Sequence, residues 1–309
     1  MLNKIPVIID CDPGLDDIIG LLMACSSNRL DVRAVTVVAG NQTVEKVGEN
    51  ALRFLELIGM DIPVSLGFSK PLVRELVIGS DIHGENGICN IELPKTNKTI
   101  SSLHAIDLMK KIVEESEKKI TLIPTGPLTN IAMFILRYPE LKDKIEKISL
   151  MGGGINGGNR TKAAEFNIYV DPEAADIVFK SGIPITMCGL DVTKRAYLLR
   201  EDIYRIKDIE NNISRFMMGI IGKLPKFKDK NGNIYCPLHD PVAVYAVSNP
   251  DMIHTKALHV DIELKGEFTR GATVANMGSR FNKKTNADVA FGINREDFVE
   301  NIIKSIVNS

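Results

Sequence analysis

The chain has 309 residues, enough for one α/β domain with a sizeable core. Its composition, 44% hydrophobic and 25% charged, is that of a folded globular protein and excludes disorder as the main state. Lysine and arginine number 38 against 39 acidic residues, a formal net charge of -1. Because such a chain has no net basic field, we expect neither nucleic acid nor a membrane as its partner.

The apolar segments exclude several locations for the protein. The longest strongly apolar run, residues 18–25, is far shorter than the roughly 20 residues that cross a bilayer. Only a short apolar stretch precedes Asp10, too little for a secretory signal, so we expect a cytoplasmic protein. The five cysteines are widely spaced without a Cys-x-x-Cys pair, which indicates reduced thiols and neither disulfides nor a zinc site.

Short apolar runs alternate with helical patterns along the chain. Strand-like runs occupy 5–10, 32–38, 119–124, 147–151, 184–188, 258–264 and 287–291. Helical periodicity covers 16–26, 43–58 and 103–118, and an Asp-Pro pair at 171–172 starts a further helix. This βαβ alternation predicts a doubly wound, mostly parallel sheet with helices on both faces, as a single domain over residues 1–309.

Two stretches interrupt the alternation. Residues 66–99 carry no clear periodicity, and residues 223–237 are polar and rich in turn-forming residues. We expect both to be insertions or mobile loops.

Four carboxylates, Asp10, Asp12, Asp16 and Asp17, follow one another at the carboxyl end of the first predicted strand. Open α/β sheets bind ligands at that end. Helix capping explains Asp16 or Asp17, but not all four. Crowded carboxylates are unfavourable without a cation, and oxygen ligands favour Ca²⁺ or Mg²⁺, so the pattern predicts a divalent ion. An EF-hand is excluded because Leu21 stands where its bidentate glutamate belongs.

Two phosphate-binding interpretations compete with this one. The Asp10-x-Asp12 pattern resembles the haloacid dehalogenase-type phosphatases, which use an aspartyl nucleophile with Mg²⁺, but Gly14 stands where that motif has Thr or Ser. Residues 152–157 fit the Gly-x-Gly-x-x-Gly spacing, yet no helix follows at once to receive a pyrophosphate. We interpret these glycines as a loop that passes close to some ligand.

Other predicted strand ends carry mostly uncharged polar side chains. They include Asn41, residues 125–130, Asn159, Glu165 and Asn167. Such donors and acceptors suit the vicinal hydroxyls of a sugar, whereas a phosphate calls for Arg or Lys, which are scarce in these segments. The sequence therefore predicts a sugar-containing ligand.

Five motifs, in order and over essentially the whole chain, resemble those of the inosine-uridine preferring nucleoside hydrolases. They lie at 10–17, 40–41, 124–130, 165–167 and 239–241. The resemblance implies a Rossmann-like fold, bound Ca²⁺, and hydrolysis of the N-glycosidic bond of purine or pyrimidine ribonucleosides in salvage or catabolism. It also implies a homodimer or homotetramer. The phosphatase, or a non-catalytic ribose- or calcium-binding protein, is the alternative.

The resemblance assigns the carboxylates individual roles. It makes the side chains of Asp12, Asp17 and Asp240 ligands of Ca²⁺, together with the backbone carbonyl of Thr125. It also makes Asp12 the general base, and it places Asp10 in support of the cluster. These roles suit glycoside cleavage, which needs an activated water and negative surroundings for a cationic sugar ring.

The remaining roles concern the substrate. Four residues match positions that hold the ribose hydroxyls: Asp16, Asn159, Glu165 and Asn167. Asn41 matches a residue beside the reacting centre, and His83 and His239 match histidines that line the base pocket. Phe227 or Tyr235 is a candidate for stacking on the base, with packing an equal alternative. The sequence predicts no preference between purines and pyrimidines.

Overall fold

The computed structural model describes residues 4–277 and 283–309. The strands among them are β1 (Ile5–Cys11), β2 (Leu30–Val37), β3 (Val64–Leu66), β4 (Ile120–Pro124), β5 (Ile145–Met151), β6 (Ile185–Cys188), β7 (Tyr197–Leu199), β8 (Phe227–Lys228), β9 (Ile234–Pro237), β10 (Ile253–Leu258), β11 (Val260–Ile262), β12 (Thr273–Ala275) and β13 (Ala287–Ile293). The α-helices are α1 (Leu15–Ser26), α2 (Val44–Leu57), α3 (Ser80–His83), α4 (Ala105–Glu115), α5 (Thr129–Arg137), α6 (Phe166–Val170), α7 (Pro172–Phe179), α8 (Leu190–Thr193), α9 (Arg200–Lys207), α10 (Asn212–Lys223), α11 (Pro241–Ser248) and α12 (Arg295–Val307).

Eight strands form the central sheet, in the order β10-β13-β6-β5-β4-β1-β2-β3. All neighbours pair in parallel except β10, which is antiparallel to β13. The chain starts at β1, winds outward to β3 on one side, and then returns to build the other side from β4. The order therefore reverses between β1 and β4, which opens a crevice at their carboxyl ends. The prediction of a Rossmann-like, mostly parallel α/β fold is confirmed.

The alternating side chains of β1 show how the two faces are filled. Val7 and Ile9 are fully buried on one face, in a core built with α1, α2, α10, α11 and α12. Ile8 is fully buried on the other face, in a core built with α4, α5 and α7. Because both faces of the strand are covered, its sequence is a continuous apolar run without alternation.

The predicted strand at 258–264 is wrong in its extent. Leu258 ends β10, which belongs to the central sheet, and Val260 begins β11, which pairs with β12 in a separate two-stranded sheet. The prediction missed most of β10 because His254, Thr255, Lys256 and Ala257 are exposed on this edge strand. An exposed edge needs no apolar pattern, so its sequence resembles a loop.

Residues 223–237, predicted to be an insertion or loop, contain a β-hairpin. In it Phe227 of β8 pairs with Tyr235 of β9, and β9 pairs with β7. Residues 66–99 contain the one-turn helix α3. All five cysteines are free. Within residues 4–277 and 283–309, no helix is both long and apolar enough to cross a membrane.

Candidate active site

A cavity of about 320 Å³ opens where the strand order reverses, and it is large enough for a small ligand. Its floor lies at the carboxyl ends of the central strands and includes Asp16, Asn41, Thr125 and Asp240. Three segments form its sides: the helix wall (residues 79–83), the loop wall (residues 159–167) and the hairpin wall (residues 224–239).

Asp10 lies behind this cavity, where its side chain joins neighbouring elements by hydrogen bonds. Its Oδ1 accepts hydrogen bonds from the Thr36 hydroxyl and from Nδ2 of Asn130, each at 2.7 Å. The side chain is fully buried and does not line the cavity. Burial raises the pKa of Asp10 to about 7. Asp10 therefore links β1 to β2 and α5.

Asp12 has one bound and one free carboxylate oxygen. Its Oδ2 accepts the backbone N–H of Asn41 at 2.7 Å. Its Oδ1 is buried without a hydrogen-bond partner among the described residues. Burial and the adjacent Asp17 carboxylate raise the pKa of Asp12 well above its ordinary value. A buried carboxylate oxygen without a donor fits a cation or a bound water.

Three further carboxylates converge beside Asp12. One oxygen each from Asp16, Asp17 and Asp240 lies within 4.8 Å of the other two, and all three residues are buried. The first two come from the first turn of α1, and Asp240 immediately precedes α11. Burial and the neighbouring Asp16 carboxylate raise the pKa of both Asp17 and Asp240. The residues present therefore fit a hard divalent cation, which prefers oxygen ligands.

The hydrogen bonds of Asp17 fix the cluster to its surroundings. The carboxylate accepts the backbone N–H of Gly14 at 2.9 Å, the Thr125 hydroxyl at 2.8 Å and Nδ2 of Asn41 at 3.1 Å. The Thr125 carbonyl, a predicted metal ligand, accepts Nδ2 of Asn167 at 2.7 Å. A carbonyl oxygen has two lone pairs, so this hydrogen bond leaves one for a metal.

Glu165 is held by backbone groups at the start of α6. Its Oε1 accepts the N–H of Asn167 at 3.0 Å, and its Oε2 accepts the N–H of Gly153 at 2.9 Å. Burial raises the pKa of Glu165 to about 7. Residues 152–154 do not line the cavity, so the predicted contact of this glycine loop with a ligand is not seen. The loop positions Glu165 instead, and Gly153 adopts a φ of +76°, which favours glycine.

Two histidines line the cavity from opposite segments. Nδ1 of His83 accepts the backbone N–H of Leu15 at 3.1 Å. Its proton must then be on Nε2, which makes His83 a neutral donor. Nδ1 of His239 lies 2.8 Å from the Thr193 hydroxyl, and burial lowers the pKa of His239. His239 also donates its backbone N–H to Asp16 at 3.2 Å.

Further residues that line the cavity had no predicted role. They are Gly79, Asp81, Ile82, Met151, Arg160, Phe166, Leu224, Pro225 and Pro237. Phe166 lies between Glu165 and Asn167, so its place in that motif could have predicted that it lines the cavity. Arg160 was missed because arginine and lysine are scarce in the Asn- and Glu-containing segments, which were interpreted as binding a sugar and not a phosphate. Phe227 lines the cavity, whereas Tyr235 packs between the rings of Tyr197 and Phe227.

The loop wall also contains Asn159, whose Oδ1 accepts the backbone N–H of Phe166 at 2.9 Å. The predicted substrate residues, with Thr125 and Asp240, therefore line this cavity. Asp12 and Asp17 do not line it and contact its floor through Asn41, Thr125 and the neighbouring carboxylates. A buried carboxylate cluster with the donor set of a divalent-cation site, below amides and apolar side chains, is the arrangement expected of an α/β enzyme that acts on a hydroxyl-bearing ligand.

Comparison with known proteins agrees with this class. Residues 7–300 match the inosine-uridine preferring nucleoside hydrolases, and the chain belongs to this family. The pyrimidine-specific ribonucleoside hydrolase RihA of Photobacterium profundum is 47% identical over 306 residues, covering 98% of this chain and 99% of that protein. RihA of Shewanella sp. (strain MR-7) is 46% identical over 308 residues, covering 97% and 96%.

A solved structure, the purine-preferring ribonucleoside hydrolase from Gardnerella vaginalis, superposes with a TM-score of 0.88. It is 30% identical, with 98% of each chain covered. The protein is accordingly an enzyme that hydrolyses N-glycosidic bonds of ribonucleosides. This activity excludes the phosphatase and the non-catalytic binding protein as its principal function.

Proposed function

We propose that the enzyme is a Ca²⁺-dependent hydrolase of pyrimidine ribonucleosides, which it converts to ribose and free base. The observation that carries the proposal is the buried carboxylate cluster below the cavity, with Oδ1 of Asp12 unpartnered. The base preference is supported by the two relatives that share 47% and 46% of their residues with this chain, both named pyrimidine-specific.

The side chains of Asp12, Asp17 and Asp240 and the carbonyl of Thr125 would hold the metal. A mixed set of carboxylate and carbonyl oxygens is typical of Ca²⁺, which accepts six to eight oxygen ligands. When bound, Ca²⁺ supplies positive charge that makes a nearby water more acidic and that attracts ribose hydroxyls.

Asp12 acts as the general base in this proposal. Its Oδ2 is fixed by the Asn41 N–H, which orients the carboxylate, and its Oδ1 is free to receive a proton from the attacking water. The amide of Asn41 donates to the Asp12 carbonyl at 3.0 Å, so the same residue also fixes the backbone of the base.

The ribose is held by the polar residues around the floor: Asp16, Asn159, Glu165 and Asn167. Nδ2 of Asn167 is bound to the carbonyls of Thr125 and Met151, which leaves its Oδ1 for a sugar hydroxyl. The carboxylates surround the ring with negative charge, which stabilises an oxocarbenium-like transition state more than the neutral substrate.

In this proposal the departing base lies against His83 and His239, which line the cavity. Nε2 of His83 carries a proton because Nδ1 accepts a backbone N–H, so His83 can donate a hydrogen bond to a base nitrogen or oxygen. Ile82 and Phe227 offer apolar surface to a planar ring beside these imidazoles.

The proposal is tested by measuring free-base release from uridine, cytidine, inosine, guanosine and 2′-deoxyuridine. We expect kcat/KM for the two pyrimidine ribosides to exceed that for the purines by at least about tenfold. Deoxyuridine should be roughly 100-fold poorer than uridine, because a missing hydroxyl leaves buried polar groups unpaired. Equal values for uridine and inosine would contradict the base preference. Equal values for uridine and deoxyuridine would contradict the ribose assignment.

A further inference from the structure

The orientation of the ribose follows from the proposed function. His83 belongs to the helix wall and His239 to the hairpin wall, so the base at C1′ faces these two walls. In a nucleoside, C4′ and its C5′ substituent lie across the ring oxygen from C1′. The 5′ end therefore faces the remaining side, the loop wall, which is polar.

The loop wall presents a cation to that end of the sugar. Among the described residues that line the cavity, Arg160 is the one arginine or lysine. Its guanidinium reaches across the rim to the helix wall, where it lies 3.5 Å from the Asp81 carboxylate. The Asp81 side chain is 63% exposed and the Arg160 side chain 33% exposed, so both are accessible at the mouth of the cavity.

A 5′-phosphate would encounter both charges. An unpaired arginine is the side chain best suited to bind a phosphate, through charge-assisted hydrogen bonds. Asp81, on the helix wall, neutralises this arginine and itself repels a phosphate, and Glu165 adds a buried carboxyl group on the loop wall, to which Arg160 belongs. An uncharged 5′-hydroxyl is not repelled by these carboxyl groups and does not need a free cation.

We propose that the Asp81–Arg160 pair is a specificity determinant that makes the enzyme reject ribonucleoside 5′-phosphates. Within the described part of the chain, Asp81 pairs with the one arginine or lysine that lines the cavity and so keeps it from a phosphate. The inference rests on the proposed function, because it takes the placement of the base from the two histidines.

The test compares kcat/KM for uridine 5′-monophosphate with kcat/KM for uridine, as free uracil released. The variants are Asp81→Asn, Arg160→Gln and the double variant. Glu300→Gln is the matched control, because it removes one negative charge from another exposed ion pair, with Arg205, outside the cavity.

We expect wild type to hydrolyse uridine and to be at least roughly 100-fold poorer with the monophosphate. Asp81→Asn should raise the monophosphate-to-uridine ratio about tenfold, since it frees a charge-assisted donor. The double variant should lose this gain, and Glu300→Gln should leave the ratio at the wild-type value.

Three results would overturn the inference: an unchanged ratio in Asp81→Asn, a gain of the same size in Glu300→Gln, or a gain that persists in the double variant. Efficient hydrolysis of the monophosphate by wild type would overturn it as well. These failures are distinct from failure of the proposed function, which is judged by whether wild type releases uracil from uridine at all.

Discussion

Asp12 combines two tasks in one carboxylate, with Oδ2 fixed by Asn41 and Oδ1 unpartnered. We predict that Asp12→Ala lowers kcat for uridine by at least roughly a thousandfold, because it removes a general base and a metal ligand together. Calcium affinity, measured by titration calorimetry, should fall in the same variant. A variant that keeps most of the wild-type activity would disprove the double role.

The isosteric variant Asp12→Asn separates the two tasks. It keeps an oxygen that can bind a cation but loses the basic carboxylate. We expect kcat to fall nearly as far as in Asp12→Ala, while calcium affinity falls less. If both variants lose calcium affinity equally, Asp12 binds the metal through its negative charge, since the oxygen that asparagine keeps is then not enough.

The two histidines are predicted to matter in proportion to the difficulty of the leaving group. His239→Ala should slow uridine hydrolysis by roughly 100-fold or more, yet slow p-nitrophenyl riboside far less, because that leaving group departs as a stabilised anion. Steady-state kcat/KM on both substrates checks this. Equal losses would mean that the His239 imidazole only packs the pocket or, through its contact with the Thr193 hydroxyl, holds this segment in place.

His83→Ala, tested on the same two substrates, shows whether one histidine or a pair assists departure. The bound Nδ1 of His83 makes its Nε2 a donor, so we expect the same selective loss. A loss confined to His83 would assign it the leaving-group role alone.

At the scale of elements, continuous apolar runs made the central strands predictable. Strands β1, β4 and β6 and residues 148–151 of β5 contribute side chains to the cores on both faces of the sheet, and their sequences are mainly apolar. The edge strand β10 was largely missed because exposed positions carry no such signal. The part of the carboxylate cluster formed by Asp12, Asp16 and Asp17 was predictable from local crowding, and Asp240 was assigned from the family resemblance. The Arg160–Asp81 pair joins distant segments and has no local pattern.

The turn between β2 and α2 also positions the site. A Cβ on Gly40 would collide with Oδ2 of Asp12 and approach Pro127 to 2.8 Å. We predict that Gly40→Ala lowers kcat/KM at least roughly 100-fold by displacing the carboxylate, with circular dichroism unchanged. Gly222→Ala in α10 is the control, because a Cβ there meets nothing within 4 Å and alanine favours a helix. Wild-type kinetics in Gly40→Ala would contradict this account of the turn.

At the scale of the molecule, buried carboxyl groups link stability to pH. Burial raises the pKa of Asp10 from 3.8 and of Glu165 from 4.5, each to about 7. At a pH between the ordinary pKa of such a group and its pKa in the folded protein, the unfolded chain has released a proton that the folded chain keeps. The stability of the metal-free protein should therefore fall as pH rises from about 4.5 to 7, by up to about 1.4 kcal/mol per pH unit for each group.

Urea unfolding of the chelated protein at pH 5, 6 and 7 measures this dependence. Glu165→Gln should show a shallower decline, because glutamine does not titrate. A stability that is constant or rises over this range would contradict the placement of these groups as buried carboxyls.

The carboxylate cluster assembles from segments far apart in sequence, so a cation bound there stabilises the folded molecule as well as serving the reaction. The most direct test is uracil release from uridine by the native, the exhaustively chelated and the Ca²⁺-resupplied enzyme, with the melting temperature recorded alongside. We predict that chelation abolishes uracil release and lowers the melting temperature, and that Ca²⁺ restores both. Full activity and an unchanged melting temperature after chelation would contradict the account.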